Sequence, residues 1–266
     1  MNRFHRSLLS FFAAVPTVYA ITLTPQTIAA FDRYIELTEA GMNADVSPGR
    51  FLHIDGQPDW QAKVRSGHIR IESGLMLDHG KRIEVPYGMI QHWVGTMFIP
   101  ATDIQKVKAV LQDYQNYKYF YKPEVIESRQ IAHHDDQYDV FLRLYKRQVL
   151  TVVLNTNYHV RYGMPDAGRM YVISHSTRIA EVKDPNNSEA AEEQVGDDSG
   201  FLWRLNSYWR FEQSGGGVFA ECQAVSLSRD VPALLGWMIK GFLEKFPKES
   251  MLNTLRGTKA AVIKRR

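Results

Sequence analysis

The sequence predicts an α+β protein, an antiparallel sheet with helical segments before and after it, preceded by an N-terminal α/β extension. Three observations carry this expectation. Residues 93–125, WVGTMFIPATDIQKVKAVLQDYQNYKYFYKPEV, join a strand to a helix and then to an aromatic segment. Beyond Val125, apolar and polar side chains alternate in one run after another, the two-residue period of a half-buried strand. After Asp230 the apolar residues return to helical spacing.

The chain opens with Arg3, His5 and Arg6, then a short apolar run from Leu8 to Val18 that ends on Val18-Tyr19-Ala20. A basic start, a brief apolar core and a small residue at the end form an export signal. The run is too short to span a bilayer. We therefore expect residues 1–20 to be a signal peptide and the mature chain to start near Ile21, in the periplasm or outside the cell. Losing Arg3 and Arg6 lowers the basic count from 32 to 30 against 29 acidic residues. Near-neutral charge gives no electrostatic case for nucleic acid. Cys222 is the only cysteine, so no disulfide can form within the chain and a core must supply the stability. No apolar stretch after residue 20 reaches the roughly 18 residues of a membrane span.

Residues 21–88 form the extension. Ile28, Phe31, Ile35 and Leu37 give an amphipathic helix over 27–44. Residues 46–88 are punctuated by Pro48-Gly49, Gly56, Pro58, Gly67, Gly74, Gly80 and Pro86-Tyr87-Gly88, with strand-like pieces at Phe51–Ile54 and His68–Glu72. So broken a pattern makes a thin core by itself and is expected to pack on the main domain.

The main domain covers 89–266. Ile90, His92, Val94, Thr96 and Phe98 share one side of a strand stopped by Pro100. Thr102, three residues before Gln105, has the spacing of a capping box. Ile104, Val107, Val110 and Leu111 then form a helical stripe. Further strands place Tyr138, Val140, Leu142 and Leu144 on one face, then Leu150, Val152, Leu154, Tyr158 and Val160, then Trp203, Leu205, Trp209 and Phe211. The opposite faces carry Arg143, Asn155, His159, Arg204, Asn206 and Arg210, so one face should be buried and the other wet. Turns are expected at His134–Asp136, Met164–Gly168 and Ser214–Gly217. Asp184–Gly200 holds six acidic residues and no basic one, which reads as a solvated loop; a calcium site at Asp197 and Asp198 lacks the ordered ligand spacing of a calcium loop. Pro232 suits a helix start ahead of Leu235, Met238, Ile239 and Phe242. Pro247 is expected to end that helix and begin another, with Met251, Leu252, Leu255 and Val262 on its stripe and a basic tail, Lys264–Arg266, at its end.

Catalytic patterns are thin. No serine stands in a Gly-x-Ser-x-Gly setting, and Cys222 has no local histidine. His133 and His134 are adjacent, so on a strand their rings diverge. His92 on an apolar face reads as a core histidine. Acid–base chemistry by Glu221 with Arg178 or Arg210 stays open, against the commoner structural ion pair.

Three segments carry a resemblance: FIPATDIQKVKAVLQDYQNYKYFYKPEV at 98–125, NSYWRFEQSGGGVFAECQAVSLSRDVP at 206–232 and ESMLNTLRGTK at 249–259. In that order they resemble a START-like (SRPBCC) domain, of the branch that includes polyketide cyclases and coenzyme Q-binding proteins. The resemblance covers two thirds of the chain. It implies the helix-grip fold, a curved antiparallel sheet wrapped around a long C-terminal helix and enclosing a cavity for a lipid, quinone or related molecule. Tyrosine and tryptophan, with a flat apolar body and a polar tip, suit such a pocket. The expected ligand-facing set is Phe98, Tyr117, Tyr121, Leu142, Leu144, Tyr158, Arg178, Trp203, Trp209, Phe211, Glu221, Trp237, Met238, Phe242, Met251 and Leu255, with Tyr117 and Tyr121 as the gate. No catalytic residue, metal or cofactor is assigned. The expected partner is a hydrophobic small molecule, with no nucleic acid and with transient membrane contact left open. A cyclase- or hydratase-like enzyme in the same cavity is the alternative and requires Arg178, Glu221 or His92 to face the cavity. A third reading has the extension fill the groove.

Overall fold

Long runs with a period of two become strands, and their order in space decides what each face meets. The structure, a computed structural model, describes residues 22–44, 49–147, 151–187, 189–230 and 236–265, without the side chains of 236–246. The extension supplies helices α1 (Pro25–Ala44) and α2 (Pro58–Arg65), strand β1 (Arg70–Ser73) and a small hairpin of β2 (Leu77–Asp78) and β3 (Lys81–Arg82). Strand β4 (Gly88–Pro100) leads into α3 (Ile104–Leu111), a single 3-10 turn at Tyr114–Asn116 and α4 (Tyr117–Phe120). Six strands follow: β5 (Val125–His134), β6 (Gln137–Arg147), β7 (Thr151–Asp166), β8 (Arg169–Glu181), β9 (Arg204–Ser214) and β10 (Gly217–Arg229). Helix α5 (Gly236–Lys264) ends the chain.

Eight strands make one antiparallel sheet in the order β1-β4-β10-β9-β8-β7-β6-β5. The sheet is curved, and α5 lies along its inner face, giving the α+β helix-grip fold. Close approach of helix and sheet is possible because β4 carries a glycine there: a Cβ on Gly95 would stand 2.6 Å from Leu255 Cδ1 and 2.9 Å from Met251 Cγ. Around this crossing Met97, Ile99, Phe211, Val218, Ala220, Leu255 and Val262 form a dense core. Gly257 repeats the device against α4, where a Cβ would meet the Phe120 carbonyl oxygen at 2.6 Å.

The outer face departs from the expected wet surface. Over β4, β10 and β9 it is covered by the extension. Phe31 and Tyr34 of α1 pack with Trp203, Tyr208, Val225 and Leu227, while Phe51, Leu52, Ile54 and Val64 pack on Phe98 and Phe219. Asn206 and Arg210, expected in solvent, are buried. Arg210 is accommodated because the carbonyls of Phe51 (2.7 Å) and Met42 accept from its guanidinium.

Other local expectations shift for identifiable reasons. Phe51–Ile54 is no strand: the Asp55 carboxylate accepts from the N–H groups of Phe51 and Leu52, both at 2.7 Å, and closes a turn. The cap of α3 is Asp103, whose side chain accepts from Lys106 N–H at 2.8 Å. Thr102 sits one residue too early, with its hydroxyl buried and unbonded. Helix α5 runs through Pro247 as one element, losing one backbone hydrogen bond there without ending. The acidic segment is held against the sheet: Glu192 pairs with Arg178 and accepts from Asn155 at 2.7 Å, and Asp198 accepts from the Trp203 indole N–H at 3.1 Å. Residues 1–20, Leu150, Pro232 and Leu235 lie outside the described residues.

Candidate functional site

Away from the Gly95 crossing the helix and sheet separate, and a cavity of about 340 Å3 opens between them. Cross-strand register explains its walls. Inner-face residues fall into rows that cross the strands. One row reads Trp93, Ala224, Ser207, Ser174, Val160 and Tyr138 from β4 to β6. The neighbouring row reads Gly95, Cys222, Trp209, Val172 and Tyr162. Leu142, Leu144, Val152 and Leu154 extend the wall along β6 and β7, and Pro247, Ser250, Met251 and Thr254 of α5 form the roof.

One end is built of tyrosines. The Leu111 carbonyl at the end of α3 accepts from the hydroxyls of both Tyr117 (2.5 Å) and Tyr162 (2.9 Å), and Tyr162 bonds Tyr114 at 2.7 Å. Tyr121 bonds Thr258 of α5 at 3.0 Å. Burial pushes these phenols upward, Tyr121 and Tyr158 to about 12, so they remain neutral near neutral pH. With their hydroxyls bonded across elements, Tyr117 and Tyr121 form part of the cavity wall. Elsewhere at the rim Lys146 pairs with Glu124 at 2.8 Å, and Asn253 of α5 donates to the same carboxylate at 3.0 Å. Cys222 lines the cavity, and burial raises its thiol above the usual range.

Of the residues expected to face a ligand, Tyr117, Tyr121, Leu142, Leu144, Tyr158, Trp209 and Met251 line this cavity. Leu255 and Phe211 belong to the dense core beside it, Leu255 against Gly95 and Phe211 stacked on Trp209 at 5.3 Å. Four residues point the other way. Phe98 lies under the extension with Phe219; Trp203 packs against α1 residues; Glu221 accepts from His53 N–H at 2.6 Å; Arg178 pairs with Glu192 outside the sheet. Phe98 and Glu221 are displaced because adjacent strand positions face opposite sides, Arg178 follows a register shift between β7 and β8, and Trp203 precedes β9, where strand alternation does not apply. Trp237, Met238 and Phe242 fall in α5, where side chains lie outside the described residues. Reasoning from sequence missed Trp93, Tyr114, Tyr162 and the serines of the floor. Gly95 was the available signal, since a glycine inside a strand marks close approach and identifies Trp93 and Gly95 as the inner side of β4.

The polar groups of the outer face form a separate relay. Met76 N–H donates to the Tyr34 hydroxyl at 3.0 Å, Tyr34 bonds His92 Nδ1 at 3.1 Å, and His92 Nε2 bonds Gln223 Oε1 at 3.3 Å. Gln223 then donates to Glu221 at 3.3 Å. Because Gln223 Oε1 can only accept, the imidazole proton sits on Nε2 and Nδ1 accepts from tyrosine. Burial lowers His92 to about 4, so the ring is neutral. His92 therefore serves packing between α1 and the sheet, as expected of a core histidine. Among the described residues no three His, Cys, Asp or Glu side chains come together to hold a metal ion, and no helix is long and apolar enough to cross a membrane.

No family model and no curated protein matches the sequence. Solved structures do resemble it. The STAR-related lipid transfer protein of Xanthomonas axonopodis is 15% identical, covering 71% of this chain and 98% of that one, with a TM-score of 0.46. Zhui aromatase/cyclase from Streptomyces sp. R1128 is 10% identical over 66% of this chain and 96% of its own, with a TM-score of 0.47. Human STARD10 is 11% identical over 78% of each chain, again with a TM-score of 0.47. The strand order and the gripped helix themselves define the class: the chain has the helix-grip fold, with an added N-terminal layer on its convex face.

Proposed function

We propose that the protein binds and carries a hydrophobic small molecule, a lipid, quinone or related compound, in the cavity between the sheet and α5, and that it does so outside the cytoplasm after removal of residues 1–20. The observation that carries this reading is the cavity of about 340 Å3, walled mainly by leucine, valine, tryptophan and tyrosine. Its size is at the lower end of the range for small-molecule sites. Burying about 200 Å2 of apolar ligand surface contributes roughly 5 kcal/mol, enough to retain a molecule without a charged anchor. The extension does not compete for this space, because it packs on the convex face. The enzyme reading loses its candidates, since Arg178, Glu221 and His92 all lie away from the cavity.

Native mass spectrometry of protein purified without detergent, followed by solvent extraction, tests the reading. A released apolar molecule of defined mass is the expected result. Protein recovered empty, with no enhancement of 1-anilinonaphthalene-8-sulfonate fluorescence, contradicts it. Export is tested separately by N-terminal sequencing: a mature protein that begins near Ile21 and is found outside the cytoplasm supports it, and an intact Met1 contradicts it.

A further inference from the structure

The floor of the cavity is polar in one place. Ser174 on β8 and Ser207 on β9 stand opposite each other in register, and Ser207 faces Ala224 on β10. Ser226 and Ser228 follow Ala224 on the inner side of β10, and all four serines line the cavity. Among the described residues none of their hydroxyls has a hydrogen-bond partner, in contrast to nearby Ser176, which accepts from Leu205 N–H at 2.9 Å. Ser228 is only 7% exposed, so its hydroxyl is buried in the protein yet opens on the cavity.

Large aromatic side chains border this patch. Trp93 ends the row that holds Ala224, Ser207 and Ser174, and Trp209 stands in the next row. Small residues between large flat ones form a shallow trough, with hydroxyls along its base. Opposed residues of adjacent strands are about 4.5 to 5.5 Å apart, which sets the spacing of the donors and acceptors the trough offers.

We infer that this serine patch is a hydrogen-bonding subsite, and that the ligand is a flat apolar molecule with oxygen atoms along one edge rather than an unbranched hydrocarbon chain. The inference rests on the proposed binding function and narrows its ligand class. A saturated chain in the trough displaces water from the hydroxyls and gives nothing back, a cost of about 1 to 3 kcal/mol for each group left unpaired. An oxygenated ring answers them while keeping its faces against Trp93 and Trp209. Each hydroxyl can donate or accept, so carbonyl and hydroxyl oxygens are both accommodated.

The test uses full-length mature protein and three probes, 1,4-dihydroxyanthraquinone, anthracene and palmitate, with binding followed by equilibrium dialysis. Ser207→Ala and Ser174→Ala each remove one oxygen and add no atoms. Each is expected to weaken the dihydroxyanthraquinone by about three- to tenfold, the worth of one hydrogen bond, and to leave anthracene and palmitate within about twofold. Ser176→Ala, outside the cavity, is expected to leave the ranking of probes unchanged. Thermal unfolding confirms that each variant is folded. Equal effects on all three probes, or no effect on the oxygenated one while the others bind, overturn the subsite and leave the carrier reading standing. Failure of every probe to bind the wild-type protein overturns both.

Discussion

On the convex side of β9 and β10, Arg210, Tyr208 and Glu221 each meet a group of the extension: the Phe51 carbonyl, the Glu39 carboxylate and the His53 N–H. On the concave side of the same strands Ser207, Ser226 and Ser228 meet none among the described residues. Both faces are largely removed from bulk water, and one chain built both with alternate residues. The difference is in what completes them. Buried polar groups must be bonded or they cost stability. The convex face is completed by the protein itself and is an internal interface. Among the described residues nothing completes the concave serines, which are left to water or a ligand.

The largest effect is expected where the convex interface is broken at its most buried carboxyl group. Glu221 is 1% exposed, and its register partner across the strands is Arg210. Glu221→Ala leaves the His53 N–H and the Gln223 amide without their acceptor and opens a cavity where the side chain was. The loss is expected to be about 4 kcal/mol, read as a lower urea midpoint. If the comparison holds, any folded fraction still binds 1-anilinonaphthalene-8-sulfonate in the cavity. Equal loss of binding would show that the two faces are not independent.

Acid is expected to act on the same interface through His92. Its folded value, about 4, lies below the ordinary 6.5 because burial disfavours the charged ring. Folding therefore gains from the neutral form above about pH 6.5, and that gain is lost as pH falls toward 4. The full shift corresponds to roughly 3 kcal/mol. Urea unfolding at intervals between pH 7 and 4 checks this, with His92→Gln expected to flatten the profile. A wild-type profile as flat as the variant's would place the titration elsewhere.

How much of this was legible in the sequence differs between the faces. The strands were readable from their period of two, and so was the ligand-facing side of β6 and β7, because there the other face carries Arg143 and His159 and the contrast is sharp, although Asn155, expected in solvent with them, is buried where Glu192 accepts from it. On β4, β9 and β10 both faces are covered, and alternation says which residues share a side without saying which layer that side meets. Phe98 and Glu221 were lost in this way, and Trp203 because it stands just before β9, outside the alternation. Arg210 looked like a solvent-facing residue because its burial depends on α1 and the turn at Phe51–Asp55, more than 150 residues away in the chain. The grip itself was marked only by Gly95 and Gly257.

Gly257 gives a third, smaller effect. A methyl group there meets the Phe120 carbonyl oxygen and Tyr121 Cδ1 at 3.0 Å, and a backbone atom cannot swing aside. Gly257→Ala gains some helix propensity but forces α5 away from α4, a net loss of about 2 kcal/mol of stability, read as a lower thermal unfolding midpoint. Since Tyr121 and Tyr117 line the cavity, dye binding is expected to change with it, unlike in Glu221→Ala.

The smallest change in stability and the sharpest separation of the faces are expected from filling the cavity. Ala224 lies on its floor beside Ser207 and opposite Trp93. Ala224→Leu puts three extra carbons into space that is already empty, so the overpacking penalty of a dense core is largely avoided, and stability should stay within about 1 kcal/mol of wild type. The same carbons occupy the trough between Trp93 and Trp209. Binding of 1-anilinonaphthalene-8-sulfonate should fall at least about tenfold, the 1.4 kcal/mol that a modest steric conflict exceeds. A variant that is destabilised as strongly as a core mutant would mean that the trough is closed in solution. A variant that is stable and still binds the dye would move the site off the concave face, and with it the distinction between a face the protein completes and a face it leaves for a ligand.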